Sequence, residues 1–312
     1  MPERLMLLDT ASLYFRAFYG LPDSLRRPDG TPVNAVRGLA DMIARLVGEF
    51  EPTHVVACWD ENWRPQWRVD LLPSYKEHRV ARAVADGPDI EEVPGALEAQ
   101  IPLIREVLSL AGIAVVGVAD HEADDVIGSY AAQASMPVDV VTGDRDLFQV
   151  IDDAAGVRVL YTAGGMKNLK IMDDDAVVAK YRVLPEQYAD YATLRGDSSD
   201  GLPGVSGIGE KTASSLLAEF GSLESLLQAA QDADGGVSSA VRAKLAGARE
   251  YLEAAPTVVR IVRGLEVPSL AEAGARLQPP GKDARARLEE LAGEWNLGSS
   301  ISRLLKALDP AA

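Results

Sequence analysis

Five carboxylates lie in two tight groups near the middle of the sequence, and their chemistry is its strongest functional signal. They are Glu122, Asp124, Asp125, Asp144 and Asp146. The first group opens a segment with apolar residues at helical spacing, and a helix N-terminus favours negative charge because its first N–H groups are unpaired. The second group follows the apolar run 138–141. Like charges this close repel one another unless a cation lies among them, so the pattern predicts a site for a hard divalent metal ion.

Two further apolar runs also stop at an aspartate. Residues 5–8 end at Asp9, and residues 53–59 end at Asp60. Such runs alternate with helical segments, which predicts an α/β fold with a mainly parallel central sheet flanked by helices. Ligands of such sheets gather at the carboxyl ends of the strands. We therefore expect Asp9, Asp60 and Asp144 at one edge of the sheet.

Each acid by itself has an ordinary structural explanation. Glu122 could belong to a capping arrangement, Asp144 could be the N-cap of a helix that begins at Leu147, and the others could lie on a solvated face. Caps are far commoner than catalytic sites, so any single acid favours the structural explanation. The convergence of the whole set favours the metal site.

Composition and charge narrow the class of protein. The chain has 312 residues, enough for two domains, with 47% hydrophobic and 25% charged residues, as in ordinary globular proteins. No apolar run is long enough to span a membrane and the N-terminus lacks a signal pattern, so we expect a cytoplasmic protein acting as a monomer. The single Cys58 excludes an internal disulfide. A net charge of −16 argues against a nucleic-acid coat protein, but part of it is the acid cluster, which metal would offset.

The pattern changes at residue 183, which predicts a core at 1–183 and a helical region at 184–312. Within the core, residues 61–95 form an excursion from the sheet that is rich in aromatic and basic side chains. Such a surface suits stacking on bases and pairing with phosphates. The alternative, that the aromatic residues only pack a surface helix, stays open. The residues in question are Trp63, Arg64, Trp67, Arg68, Tyr75, Lys76, Arg79 and Arg82.

The segment 202–213 places closely spaced glycines before a helix. Gly207 and Gly209 would let a phosphate approach backbone N–H groups at the helix start, with Lys211 and Thr212 adding contacts. The alternative is a tight turn between two helices.

These residues together resemble the motifs of the 5′ nuclease family, which includes stand-alone bacterial 5′-3′ exonucleases, flap endonucleases and the N-terminal domain of DNA polymerase I. The resemblance covers about residues 5–263. The matching motifs are Asp9 with residues 13–18, Asp60, residues 74–76 with Arg79, residues 122–125, residues 142–148, residues 195–197 with Ser199 and Asp200, and residues 207–213. Their number and order make the resemblance specific, where any one motif would be weak.

The resemblance implies a PIN-like nuclease core, a helical arch at 61–95 and a helix–three-turn–helix element in the C-terminal region. It also implies two divalent ions, Mg²⁺ or Mn²⁺, held by acids at the edge of the sheet. The first ion is assigned Asp9, Asp60, Glu122 and Asp124, and the second Asp125, Asp144, Asp146, Asp197 and Asp200, some through water.

Other matched residues are expected to contact DNA. Lys76 and Arg79 would lie at the base of the arch and polarise the scissile phosphate. The further DNA-binding residues are Tyr14, Arg16, Tyr75, Gly207, Gly209, Lys211 and Thr212, with a potassium ion as a candidate ligand of the hairpin carbonyls. The chain departs from the family at Gly201, where Asn is common. Glycine keeps that turn possible but removes a side-chain amide beside Asp200.

The implied function is a structure-selective 5′ nuclease that acts on DNA flaps, nicks and free 5′ ends in replication and repair. It would work near the nucleoid beside a separate DNA polymerase and ligase. The alternative is a DNA-structure-binding protein of the same fold with little catalysis, against which the complete set of acids argues. An RNA-degrading, toxin-like nuclease would share the acidic sheet edge, but not the glycine hairpin or a chain of this length.

Overall fold

The computed structural model describes residues 2–84, 89–232 and 234–309. Parts of the expected arch (85–88) and of the expected helical region (233 and 310–312) therefore lie outside the described residues. Within the described ranges, no helix is both long and apolar enough to cross a membrane.

A six-stranded sheet forms the centre of the fold. The strands in chain order are β1 (Leu5–Asp9), β2 (His54–Cys58), β3 (Val80–Arg82), β4 (Ile90–Glu91), β5 (Ala114–Val116), β6 (Val138–Thr142), β7 (Val157–Tyr161) and β8 (Lys170–Met172). The sheet order is β5-β2-β1-β6-β7-β8, and all neighbours are parallel except β7 and β8. Strands β3 and β4 form a separate antiparallel ribbon. The expected mainly parallel sheet is confirmed.

The register of the central strands brings the aspartates at their ends to one edge. Strand β1 is buried along its whole length, as expected for a parallel strand covered on both faces. Asp9 pairs in register with Cys58, and Leu8 pairs with Val141. Asp60 and Asp144 follow directly beyond the ends of β2 and β6. All three acids therefore lie at the carboxyl edge.

Helices cover both faces of the sheet. They are α1 (Thr10–Gly20), α2 (Asn34–Phe50), α3 (Gln66–Leu71), α4 (Gly95–Glu98), α5 (Ile101–Leu110), α6 (Ala123–Gln133), α7 (Asp174–Tyr181), α8 (Tyr188–Arg195), α9 (Glu210–Phe220), α10 (Leu223–Gln231), α11 (Ser239–Gly247), α12 (Arg249–Val259), α13 (Lys282–Glu294) and α14 (Ser300–Leu308). Met6 and Leu8 join the apolar core formed with α1, α2, α5, α13 and α14. Leu5 and Leu7 join the core formed with α6 to α12.

The excursion contains less helix than the resemblance implied. Its described residues form α3, a 3₁₀ turn at Glu77–Arg79 and the β3–β4 ribbon. Leu72 is extended and precedes Pro73, which disfavours helical geometry at the residue before it and so ends α3. The described part of the excursion is therefore a mixture of helix, turn and strand, and its role as an arch stays a prediction.

The segment 260–277, called the strap here, links the C-terminal helices to the core. Val262 accepts a hydrogen bond through its carbonyl from Ser129 on α6 at 3.2 Å. Farther along, the Ala275 carbonyl accepts from Val55 N–H of β2 at 2.8 Å. The strap therefore runs from α12 across α6 to the sheet.

Candidate active site

A cleft of about 1210 Å³ opens at the carboxyl edge of the sheet. The acidic residues that line it are Asp9, Asp41, Asp60, Glu91, Glu122, Asp124 and Asp144, and the basic ones are Arg16, Arg45, Lys76, Arg79, Arg145 and Lys167. The sheet edge and the N-terminus of α6 thus bring together acids that are far apart in sequence.

Two of these acids also organise the backbone around them. Asp9 caps α1 by accepting from Ser12 N–H at 3.2 Å, and its other oxygen accepts from the Thr142 hydroxyl at 2.6 Å. Asp60 accepts from Ala123 N–H, at the start of α6, at 2.8 Å. Capping and cleft lining are therefore combined in the same side chains.

Burial and mutual repulsion disfavour the ionised form of the cleft acids. Burial, with added repulsion from Asp60 and Asp144, raises the pKa of Asp9 to about 7. Burial is also the largest cause that raises the pKa of Asp60 to about 6. The pKa of Asp124 lies well above its usual value because of burial and the charges of Asp9 and Asp144. Such a cluster is suited to a cation, which would offset the repulsion.

The described carboxylate oxygens of the cleft are not arranged around a single metal position. In the part of the chain that the structure describes, no three acidic, histidine or cysteine side chains stand together as ligands of one ion. Several carboxylate oxygens instead accept from protein groups, as Asp9 does from Thr142 and Asp60 from Ala123. The residue types fit a hard cation, and each carboxylate oxygen has a second lone pair that can face an ion while the hydrogen bond to the protein is kept.

Glu122 differs from the other cleft acids because cations surround it. Its Oε1 contacts Lys76 Nζ, and its Oε2 accepts from Arg68 and from the Tyr75 hydroxyl, the latter at 2.7 Å. Burial acts to raise the pKa of Glu122, but Lys76 and Arg68 outweigh it and the pKa lies below its usual value. Glu122 is therefore ionised and held in place.

The expected ligands of the second ion fall into two groups. Asp146 lies near Asp144 and Asp200, and burial with their charges raises its pKa well above the usual value. Burial also raises the pKa of Asp200, against the lowering effect of Lys76. Asp197 is buried, and Arg145 at 3.1 Å, Arg195 at 2.7 Å and the Ser199 hydroxyl all donate to it.

Asp125 stands apart from the other acids assigned to the second ion. Its side chain is fully buried, and Oδ1 accepts from Arg68 at 2.7 Å and from Val262 N–H at 2.9 Å. Oδ2 accepts from Arg68 at 3.0 Å and from Glu122 N–H at 3.4 Å. Successive helical residues point about 100° apart, so Asp125 faces the interior while Asp124 faces the cleft.

Two residues expected to bind DNA are also buried. Tyr75 is 4% exposed and its hydroxyl is bonded to Glu122, so its ring is not available for stacking on a base. Tyr14 is 8% exposed and packs against Phe15 and Trp59. Both expectations are corrected, because each ring completes a core beside the cleft rather than its surface.

The excursion divides its remaining aromatic and basic residues between cleft and interior. Trp63 lines the cleft, with the Arg79 guanidinium 5.4 Å from its ring centroid. Trp67 packs against His121 instead. Arg64 and Arg68 are buried and paired, so neither presents its charge to a phosphate.

Gly201 brings the turn that carries Asp197 and Asp200, called the acidic turn here, against the segment that carries Lys76. The Lys76 N–H donates to the Asp200 carbonyl at 2.9 Å. Gly201 has a φ of +70°, and a Cβ there would stand 2.0 Å from the Ser74 carbonyl oxygen. Glycine at this position is therefore required by a close backbone approach, and the departure noted in the sequence has a structural reason.

The glycine hairpin does not line the cleft. Gly207, Gly209 and Lys211 are exposed, and Thr212 is half-buried. Helix α9 follows Gly209, whose lack of a side chain leaves the first N–H groups of the helix without a side-chain cap among the described residues. The Lys244 ammonium donates to the Gly207 carbonyl at 2.8 Å.

Some cleft residues were missed in the sequence. Phe15, Arg45, Arg145 and Lys167 line the cleft. Thr142 bonds to Asp9 and also accepts from Asp144 N–H at 2.8 Å. A threonine at the end of a strand, directly before Gly-Asp, was the available signal for Thr142. The signal for Phe15 and Arg145 was their place within the matched motifs 13–18 and 142–148, whereas Arg45 and Lys167 lie outside every motif and carry no local signal.

Comparisons with known proteins agree with this architecture. Residues 4–182 match the family model described as 5′-3′ exonuclease, N-terminal resolvase-like domain, and residues 183–283 match 5′-3′ exonuclease, C-terminal SAM fold. A 5′-3′ exonuclease of Streptomyces coelicolor is 56% identical over 303 residues, covering 97% of this chain and 99% of that protein. A DNA polymerase I of Mycobacterium tuberculosis is 40% identical over 288 residues, covering 91% of this chain and 30% of the polymerase. The solved structure of T5 5′-exonuclease with bound zinc has a TM-score of 0.65 at 17% identity, covering 98% of this chain and 100% of that one, and shows a similar fold.

Proposed function

The chain belongs to the 5′-3′ exonuclease family, and from this premise we propose that it is a structure-selective nuclease that hydrolyses DNA phosphodiester bonds at 5′ flaps, nicks and free 5′ ends. The observation that supports the proposal most is the cleft itself. Carboxyl groups whose pKa values are raised, Asp9, Asp60 and Asp124, line the same cleft as the cations Lys76 and Arg79. Carboxyl and cationic side chains that line one cleft suit a metal-dependent reaction at a phosphate.

The proposed cofactors are two Mg²⁺ or Mn²⁺ ions. When bound, they supply positive charge that favours attack of water on the phosphate and departure of the leaving oxygen. We propose that the first is held by Asp9, Asp60, Glu122 and Asp124, and the second by Asp144, Asp146, Asp197 and Asp200, some through water. Asp125 is left out because its side chain is fully buried and paired with Arg68 on the interior side of α6.

Within this scheme the chain's own residues bind and orient the substrate. Burial acts to lower the pKa of Lys76, but Glu122 outweighs it, so the pKa lies well above the usual value and the ammonium remains charged. Lys76 and Arg79 would contact the scissile phosphate, and Arg16 would contact a neighbouring phosphate. Trp63 offers a ring on which a base can stack.

We propose that residues 1–183 form the nuclease core and that the helical region 184–312 contains the part that grips the duplex, at the start of α9, while α13 and α14 pack on the core. The exposed start of α9 and Lys211 would bind backbone phosphates without regard to sequence. A potassium ion on the hairpin carbonyls belongs to the same proposal, although the Lys244 ammonium already supplies a cation at Gly207.

The proposed setting is the cytoplasm, where a monomer would act at the nucleoid with a separate DNA polymerase and ligase. The 40% identity to one part of a DNA polymerase I supports a role beside a polymerase. A cleavage assay on 5′-end-labelled flap, nicked and blunt duplexes, with Mg²⁺, Mn²⁺ or EDTA, tests the proposal. Tight binding of flaps without any cleavage would instead support the DNA-structure-binding alternative.

A further inference from the structure

One buried cation, Arg68, contacts three separate parts of the chain next to the cleft. Its side chain is 2% exposed. It donates to Glu122, to both oxygens of Asp125 at 2.7 and 3.0 Å, and to the Val258 carbonyl on α12 at 3.1 Å. The indole of Trp67 lies 4.5 Å from the guanidinium carbon. This side chain therefore fixes several groups at once.

The first of these groups, Glu122, is part of the proposed reaction centre. Its Oε2 is held by Arg68 and the Tyr75 hydroxyl, while its Oε1 faces the cleft and Lys76. Glu122 thus lies between the interior cation Arg68 and the cleft cation Lys76. The Glu122 carboxylate therefore links the interior cation to the Lys76 ammonium.

The other contacts join the cleft to the C-terminal helices. Arg68 reaches Val258, 190 residues away in sequence, and its partner Asp125 accepts from Val262 N–H in the strap. Val258 and Val262 flank the end of α12. The same charge network therefore holds α3, α6 and the end of α12 in one arrangement.

We propose that Arg68 is a positioning residue of the nuclease reaction, which acts by orienting Glu122 and, through it, Lys76. This inference rests on the proposed function. Arg68 touches neither solvent nor the proposed path of the substrate, so its contribution is to the geometry of the groups that do. Only an arginine supplies donors in several directions from one planar group, and a lysine ammonium at this site would satisfy fewer of the acceptors.

The test measures single-turnover cleavage of a labelled 5′ flap by the full chain at saturating enzyme and Mg²⁺, and flap affinity in Ca²⁺. Arg68→Gln should slow cleavage by about 100-fold, the loss typical of a misplaced catalytic group, while affinity changes less than about threefold. Arg68→Lys should recover part of the rate. An Arg68→Gln enzyme that is folded and cleaves at the wild-type rate overturns the proposal.

A matched control separates positioning from a general loss of stability. Arg158 pairs with the buried Asp139, near the opposite end of the sheet, at 2.7 Å. Arg158→Gln weakens an ion pair to a buried aspartate, with Arg158 partly exposed and Arg4 kept as a second partner of Asp139, so it should lower the unfolding temperature without slowing cleavage below that temperature. An equal loss of rate in this control would mean that Arg68 has only a structural role.

A double-mutant cycle tests the route through Glu122. If Arg68 acts by orienting Glu122, the variant with both Arg68→Gln and Glu122→Gln should be no slower than Glu122→Gln alone. If the losses in cleavage rate of the two single variants multiply in the double variant, the inference is contradicted. If Arg68→Gln does not fold, Arg68→Lys takes its place in the cycle. Cleavage by the wild type is measured in the same series, so its absence would overturn the proposed function itself, whereas an insensitive Arg68 would overturn only this inference.

Discussion

Asp124 and Asp125 are neighbours in sequence, but removing their charges should change stability in opposite directions. Asp124 lies in the cleft, where burial and the charges of Asp9 and Asp144 raise its pKa well above the usual value. A carboxyl group with a raised pKa is less favourable in its ionised form when folded than when unfolded. Asp124→Asn should therefore raise the unfolding temperature of the metal-free protein at neutral pH, while abolishing cleavage.

Asp125→Asn should have the reverse effect on stability. If the amide oxygen replaces Oδ1, it keeps the bonds from Arg68 and Val262, but the amide NH₂ then faces the donors Arg68 Nη1 and Glu122 N–H. Two hydrogen bonds are lost, one of them charge-assisted, which amounts to about 3 kcal/mol of unfolding free energy. Breaking a buried pair outright costs about 3–5 kcal/mol, and Arg68 here keeps Glu122 as a partner. For a chain of 312 residues the unfolding temperature should fall by about 5 °C.

Thermal unfolding of wild type and both variants in EDTA, followed by circular dichroism, measures these effects. The reasoning predicts that the two variants lie on opposite sides of the wild type. If Asp125→Asn is as stable as wild type, the pair with Arg68 contributes nothing measurable. If Asp124→Asn is destabilised as strongly as Asp125→Asn, the cleft acids do not repel one another as the structure implies.

Three further predictions concern pH, the acidic turn and the hairpin. Burial chiefly raises the pKa of Asp9 from 3.8 to about 7 and that of Asp60 from 3.8 to about 6, so the folded state binds more protons than the unfolded state between these values. As pH increases from about 4 to 7, the stability of the metal-free protein should therefore fall in a series of unfolding measurements, and the affinity for Mn²⁺ should rise in a series of titrations. Gly201→Asn should slow cleavage by at least about tenfold, because its side chain would push on the Ser74 carbonyl and so misplace Lys76. The control Gly30→Asn, at another glycine with positive φ but in open space, should not slow cleavage. Lys211→Ala should weaken duplex binding and reduce the slope of log affinity against log salt concentration by about one unit, whereas the exposed control Lys170→Ala should change neither. A slope equal to that of the wild type would mean that the hairpin is only a helix–helix turn.

The sheet edge was predictable from sequence because its signal is local. Each of β1, β2 and β6 is an apolar run with an aspartate at or just beyond its end, and parallel pairing then places Asp9, Asp60 and Asp144 together. The distinction between Asp124 and Asp125 was also available, since adjacent helical residues point in different directions. It was missed because the four-residue motif was assigned as a unit.

Other features depend on contacts that sequence does not display. Arg68 resembles its basic neighbours in a run that suits phosphate binding, and only the partners Glu122 and Val258, 54 and 190 residues away, reveal that it is buried. Helices α13 and α14 carried no motif, yet they complete the apolar core on α2 and α5. Which partner an amphipathic helix covers is decided by the whole fold.

The most direct test of the central claim is single-turnover cleavage of a 5′-end-labelled flap by wild type and by Asp60→Asn, in Mg²⁺ and in EDTA, with flap binding measured in Ca²⁺. Asp60 lines the cleft, and its bond to Ala123 N–H can be kept by the amide oxygen of Asn, so the fold should be preserved. We predict that wild type releases the labelled flap in Mg²⁺ and not in EDTA, and that Asp60→Asn binds flaps normally but cleaves at least about 100-fold more slowly. Cleavage in EDTA, or a wild-type rate from Asp60→Asn in Mg²⁺, would contradict a metal-dependent active site at this edge of the sheet.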